Sequence, residues 1–178
     1  MRNQLLMTTQ PLRDIINEWA PYVFTSENAQ HKLQAVCDAE NAIAAEVASV
    51  VLKPGAAETM QELKRRWYGI GIISNLSKDY VSVVKERSPI DFDHILLSCE
   101  LGLKKTITNN DYRIYQQAQQ LTGLKKREIV MIGDHYNNDY VAPTEYGIHG
   151  IHMDWNKTNK ASREQRVYAM EELLEIFI

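Results

Sequence analysis

Cysteine is scarce in this chain: there are two in 178 residues, Cys37 and Cys99, with no His or Cys beside either at metal-ligand spacing. That excludes a disulfide framework or a cysteine-based zinc module, and it suits reduced thiols in a cytoplasmic protein. Long apolar runs are missing too. No segment approaches the ~18 consecutive apolar residues of a membrane span, and Met1-Arg2-Asn3-Gln4-Leu5-Leu6 is too short to read as a signal peptide. Nor does either charge dominate: 20 Lys and Arg stand against 23 Asp and Glu, a net charge of −3, with no large block of one sign. Nothing in that balance points to nucleic acid or a membrane surface as a partner. Internal repeats and low-complexity tracts are likewise lacking. What remains is a globular chain, 44% apolar, long enough to bury roughly 70% of its unfolded surface around one core.

From Pro54 onward helical and strand patterns alternate. Pro54-Gly55 opens a helix through Lys64, with Met60 and Leu63 on one face. The apolar run Tyr68-Gly69-Ile70-Gly71-Ile72-Ile73 then ends in Ser74-Asn75 and reads as a buried strand. A helix over about residues 78–87 stops before Pro89. His94-Ile95-Leu96-Leu97-Ser98 is a second strand. Residues 111–121 carry helical spacing at Ile114, Ala118 and Leu121, with Gly123 as the stop. Residues 129–132 form a third strand, 142–146 a short helical turn and 150–153 a fourth strand. This alternation predicts an α/β fold with a parallel, three-layer Rossmann-like sheet, in which ligands sit beyond the carboxyl ends of the strands. Ser74 and Asp134 fall at such ends.

The first 52 residues differ in texture. Leu33, Val36, Cys37, Ala44, Val47 and Val51 make a helical stripe, which with residues 12–19 predicts a small N-terminal helical cap. The expected organisation is residues 1–11 as a candidate degenerate first core strand, 12–52 as the cap-like helical segment, and 53–178 as the α/β core.

Three chemical signals lie in order along the core. Ser74-Asn75 ends a strand, Lys104-Lys105 follows Leu101-Gly102-Leu103, and Gly133-Asp134-His135-Tyr136-Asn137-Asn138-Asp139 ends another strand. This order resembles the second, third and fourth motifs of the haloacid dehalogenase superfamily, over about residues 54–178. The resemblance implies Mg²⁺-dependent hydrolysis of a small phosphorylated metabolite through an aspartyl-phosphate. It makes Ser74 and the backbone amide of Asn75 phosphate donors. Lys105 becomes the catalytic cation that balances phosphate and nucleophile, although Thr106 replaces the family's usual proline and leaves Lys104 as the alternative register. Asp134 becomes a Mg²⁺ ligand, and Asp139 a second acidic residue of the metal site that stands behind the direct ligands or binds the ion through water. Mg²⁺ takes oxygen ligands and keeps several waters, so two carboxylates in one loop fit it. Dehalogenation, the other family chemistry, needs no such ion. His149-x-x-His152 beside Asp154 does not make a zinc site, because strand positions three apart point to opposite faces.

The first family motif, a strand ending in Asp-x-Asp that supplies the nucleophile, is expected to have no counterpart anywhere in the chain. Asp38-Ala39-Glu40 is taken as the nearest approach and lies inside a helical stretch. The nucleophile is therefore expected to be missing from this chain. The motif's strand belongs in the middle of the family's sheet, and the candidate for that place is Gln4-Leu5-Leu6-Met7-Thr8-Thr9-Gln10. Thr8 and Gln10 would then stand where the aspartates belong. Thr8 is a poor nucleophile without a neighbouring base, and Gln10 exchanges no proton. A first strand upstream of Met1 is the alternative. The expected outcome is either an inactive member that binds a phosphorylated ligand or a protein partner, or an enzyme short of its first motif. The sequence leaves substrate identity and oligomeric state open.

Overall fold

The computed structural model describes residues 29–178 together with Asp14. The expectations for residues 1–11, Thr8 and Gln10 among them, lie outside the described residues. Helix α1 (Ala29–Ser49) realises the helical reading of the region before the core. Its expected apolar stripe is hardly used: Val36 is buried, whereas Leu33, Cys37, Ala44 and Val51 are exposed. Toward the C-terminal end of α1, Glu46 hydrogen-bonds the Tyr80 hydroxyl and Arg87 donates to the carbonyl of Ala48 at 3.1 Å.

Helix α2 (Ala56–Arg65) buries Thr59 and Leu63. It begins after Gly55 at φ 73°, where a Cβ would collide with the Glu171 carboxylate. Strand β1 (Gly71–Ser74) follows, then a 3₁₀ turn (Lys78–Tyr80) and α3 (Val81–Glu86), which end ahead of Pro89. Strand β2 (His94–Leu97) runs parallel to β1, from Gly71 opposite His94 to Ser74 opposite Leu97. Beyond the short helix α4 (Ser98–Leu101), α5 (Arg113–Thr122) buries Ile114, Tyr115 and Ala118. Gly123 closes α5 in the left-handed conformation at φ 67°, the stop its position predicts. Strand β3 (Val130–Gly133) leads through a π-helical turn (Tyr136–Val141) and α6 (Ala142–Tyr146) into β4 (His149–Met153). Two elements too short to carry a periodic signal complete the fold, β5 (Arg166–Val167) and α7 (Leu173–Ile176).

Every strand pair is parallel, as the helix–strand alternation requires. The sheet nonetheless comes in two pieces among the described residues, β1-β2 and β3-β4-β5. Burial across them runs opposite to the usual order for a parallel sheet, where the inner strands are covered on both faces. Leu96 and Leu97 on β2, and Ile151 and Met153 on β4, are 0–3% exposed. Ile72 and Ile73 on β1, and Val130, Met131 and Ile132 on β3, are only half-buried.

Candidate functional site at the carboxyl ends of β1 and β3

The loops leaving β1, β2 and β3 meet at one end of the two half-sheets. After β1, the Asn75 side chain clamps a backbone thirty residues on. Its Nδ2 donates to the Lys105 carbonyl at 2.8 Å, and its Oδ1 accepts from the Lys105 amide at 2.7 Å. Beside it the fully buried Ser98 does the same for Leu76, accepting from the Leu76 amide at 3.1 Å and donating to the Leu76 carbonyl at 3.2 Å. A side chain that satisfies both polar groups of a distant residue fixes that residue's position and direction. Asn75 thus aims Lys105.

The Lys105 ammonium reaches across to the other half-sheet. Its Nζ lies 2.6 Å from Asp139 Oδ1, with the two side chains 13% and 5% exposed. The contact is one of charge, off the hydrogen-bond direction at Oδ1. Asp139 Oδ2 accepts from the His135 amide at 3.0 Å, and the Asp139 amide donates to the His135 carbonyl at 2.7 Å. The His135–Asp139 turn is therefore closed on itself with one carboxylate oxygen turned to Lys105. Gly133 makes this possible, because a Cβ there would stand 2.4 Å from Asp139 Oδ2 and 2.5 Å from its Cγ. Gly133→Ala is expected to push Asp139 off Lys105 and to destabilise the protein by about 1–3 kcal/mol, the range for overpacking a well-filled site. Thermal denaturation of the variant checks it; an unchanged midpoint refutes it.

Asp134 behaves differently from Asp139. It is exposed at the bend after β3, and its carbonyl accepts from His152 Nε2 at 3.2 Å. His152 is 3% exposed and His149 at the start of β4 is exposed, the opposite facing expected of positions three apart. Beneath the loop the fully buried Tyr115 donates its hydroxyl to the Asn138 carbonyl. Burial, with the Asp139 charge second, pushes that phenol well above its ordinary range, so it stays a neutral donor.

Of the residues expected at the site, Asn75, Lys105, Asp134 and Asp139 are brought together, and Ser74 occupies the last position of β1 beside Asn75. Lys105, Asp134 and Asp139 line a cavity of about 850 Å³, and Lys104 is not part of its lining. The Asn75 side chain is committed to the Lys105 clamp, separate from the backbone amide expected as a phosphate donor. Sequence reasoning missed Ser98, Tyr115 and His152, which hold the loops from below. Nothing short of their contacts marks them, since Ser, Tyr and His at such places are ordinary.

One Asp-x-Asp does occur, Asp91-Phe92-Asp93, and the fold removes it from the site. It precedes β2, next to His94 opposite Gly71, at the amino end of the sheet. Asp93 lies 2.7 Å from Lys64 Nζ and accepts from the Ile70 amide at 2.6 Å. Those two partners hold its carboxyl below the usual carboxylate range, a structural task.

The donor set around Asp134 admits Mg²⁺ in part. A hard ion of this kind is commonly held by one or two carboxylates, waters and a substrate phosphate. Asp134 offers one exposed carboxylate on the cavity, while both Asp139 oxygens already face Lys105 and the His135 amide. No group of three or more His, Cys, Asp or Glu at metal-binding distance occurs among the described residues. No helix among them is long and apolar enough to cross a membrane.

A model of haloacid dehalogenase-like hydrolases matches residues 13–145. The chain is 26% identical over 131 residues to a glyceraldehyde 3-phosphate phosphatase of Pyrococcus furiosus, covering 69% of this chain and 53% of the relative. A phosphatase of the same name from Methanothermobacter thermautotrophicus is 29% identical over 100 residues, 55% of this chain and 42% of its own. The chain thus spans about half the length of the curated relatives it matches. Among solved structures, a 2-haloacid dehalogenase from Pseudomonas syringae superposes with a TM-score of 0.64 at 18% identity, over 92% of this chain and 68% of that one. A phosphatase from Thermococcus onnurineus gives 0.58 at 18% identity, over 70% and 57%. These two share the fold.

Proposed function

The chain belongs to the haloacid dehalogenase-like hydrolases, and from that premise we propose that its cleft is a phosphate monoester site, served by Mg²⁺, that this polypeptide leaves without a nucleophile. The observation that carries the reading is the clamped, cross-sheet Lys105 in the wall of the cavity. An ammonium has three donors. One faces Asp139, which leaves two for phosphate oxygens. The Ser74 hydroxyl adds a further donor at the end of β1, and the Asp134 carboxylate would hold Mg²⁺, with Asp139 keeping Lys105 in place. A bound Mg²⁺ supplies charge neutralisation of the phosphate oxygens. Substrates of triose-phosphate size fit this reading, because two relatives similar in sequence are named for glyceraldehyde 3-phosphate. The helical segment before residue 53 would act as the cap over such a substrate.

The second reading is a phosphate-binding module without chemistry, favoured by retention of Lys105 and Asp134 with no carboxylate among the described residues placed to attack phosphorus. Calorimetric titration with inorganic phosphate, with and without Mg²⁺, tests the site common to both. Mg²⁺-dependent binding that is lost in Asp134→Asn is expected. Absence of phosphate binding to the unmodified chain removes both readings.

A further inference from the structure

We propose that a hollow beside the phosphate cleft, walled by residues 154–160 and the turn at Tyr136, holds the alcohol end of the ester and selects a hydroxylated one. The inference rests on the phosphate reading of the cleft and adds the class of group to which the phosphate is joined. The hollow has a volume of about 310 Å³, and Asp134, Met153 and Trp155 line both it and the larger cavity. A phosphate held between Lys105 and Asp134 thus has this second space next to it. Pockets for small molecules begin at roughly 300 Å³, so a group of a few carbons fits.

Both walls are built by buried polar and aromatic groups. The chain leaves β4 as a loop gathered round Asp154, which is 2% exposed. Asp154 Oδ1 accepts from the Thr158 amide at 2.8 Å and from the Thr158 hydroxyl at 2.9 Å, and Oδ2 accepts from the Asn159 amide at 2.7 Å. From the far side the Tyr168 hydroxyl donates to Asn159 Oδ1 at 2.8 Å. These bonds hold Lys157 and Asn159 at φ 52° and 57°, a left-handed backbone that residues other than glycine keep only where their surroundings impose it. On the opposite wall the buried His152 stands edge-on to Tyr136, with ring centroids 5.4 Å apart and planes at 80°. Tyr136 packs on Tyr140 at 5.3 Å, and the Tyr140 hydroxyl donates to Gln165 Oε1 at 2.8 Å. The side chains that line the space are therefore carried on a fixed frame.

Those side chains decide the occupant. Asn137, Asn156 and Lys160 line the hollow, are exposed, and make no side-chain hydrogen bond or ion pair among the described residues. Lys160 Nζ instead lies 5.9 Å from the centre of the Tyr136 ring. An apolar alcohol group takes water from these three side chains and returns no hydrogen bond. A second anionic group meets Lys160, but it also meets the carboxylates of Asp134 and Asp154, which line the same space. Hydroxyls suit the whole set. Each donates one hydrogen bond and accepts others, to match two amides that do both and an ammonium that only donates. The rings of Tyr136 and Trp155 supply apolar surface for the carbon atoms between the hydroxyls.

Calorimetry on the full chain with saturating Mg²⁺ tests the assignment by comparing inorganic phosphate with a set of esters. Glycerol 3-phosphate carries hydroxyls, propyl phosphate has the same carbon chain without them, and phosphoglycolate carries a carboxylate instead. Glycerol 3-phosphate is expected to bind about tenfold more tightly than propyl phosphate, the effect of about two neutral hydrogen bonds, and more tightly than phosphoglycolate. Asn156→Leu and Lys160→Met change exposed positions, so the fold is expected to survive them. Each is expected to cut the preference for glycerol 3-phosphate over propyl phosphate to about threefold or less. Equal affinity of the unmodified chain for these two esters, tighter binding of phosphoglycolate, or a preference that survives both substitutions overturns the proposal and leaves the phosphate reading standing. Absence of inorganic phosphate binding removes the phosphate reading and this inference with it.

Discussion

Lys105→Met is expected to lower the melting temperature by about 10 °C. The substitution keeps the length of the side chain and removes its charge, so the Asp139 carboxylate, 5% exposed, is left in the interior with no cation. Breaking a buried pair from one side costs about 3–5 kcal/mol, because the surviving charge has lost its water as well as its partner. For a chain of this size each kcal/mol moves the midpoint by roughly 2–4 °C. An exposed pair such as Arg113–Asp111 sets the contrast, since surface ion pairs contribute about 0–1 kcal/mol. The double variant Lys105→Met, Asp139→Asn is expected to recover much of the loss, because it removes both charges together. A shift below about 2 °C for the single variant would show that water reaches the pair and that it is no staple.

The 178-residue chain is expected to hydrolyse phosphate monoesters about 10⁴- to 10⁶-fold more slowly than a relative that retains a carboxylate nucleophile, the loss seen when other enzymes lose the attacking group. At the carboxyl ends of β1 and β3 each candidate is otherwise engaged or chemically unsuited. Both oxygens of Asp139 are partnered, Asp134 is the remaining carboxylate for an ion, and the Ser74 hydroxyl needs a base to become a nucleophile. Asp91 and Asp93 lie at the amino end of the sheet. Among the described residues, what remains are groups that position and neutralise, and these do not attack phosphorus. Steady-state assays with small phosphate monoesters, glyceraldehyde 3-phosphate among them, check this. A Mg²⁺-dependent turnover near about ten per second, the middle of the enzyme range, would refute it.

Much of the fold was legible because the core obeys local rules. The run Tyr68–Ile73 before Ser74-Asn75 and the run Ile129–Ile132 before Gly133-Asp134 gave β1 and β3, and Gly123 marked the end of α5 where its left-handed backbone now stands. The acidic loop was legible as a motif, and its two carboxylates did fall in one loop. Their division of labour was not. Asp139 is claimed by a lysine thirty-four positions away, and that lysine is held by Asn75, a long-range arrangement with no periodic trace. The stripe on α1 misled for the converse reason. Amphipathic spacing records what a helix is able to bury, and most of the stripe on α1 stays exposed.

The division of the sheet also bears on the order in which the molecule is assembled. Strands β1 and β2 are consecutive in the chain, and so are β3, β4 and β5, so each half forms from short-range βαβ pairings. Contacts across the gap are long-range, and loop closure falls on that step alone. Joining the halves, which also share the cluster of Ile73, Tyr115 and Met131, is therefore expected to be slower than forming either. Whatever occupies the space between them acts on the rate at which the protein becomes native as well as on how stable it is.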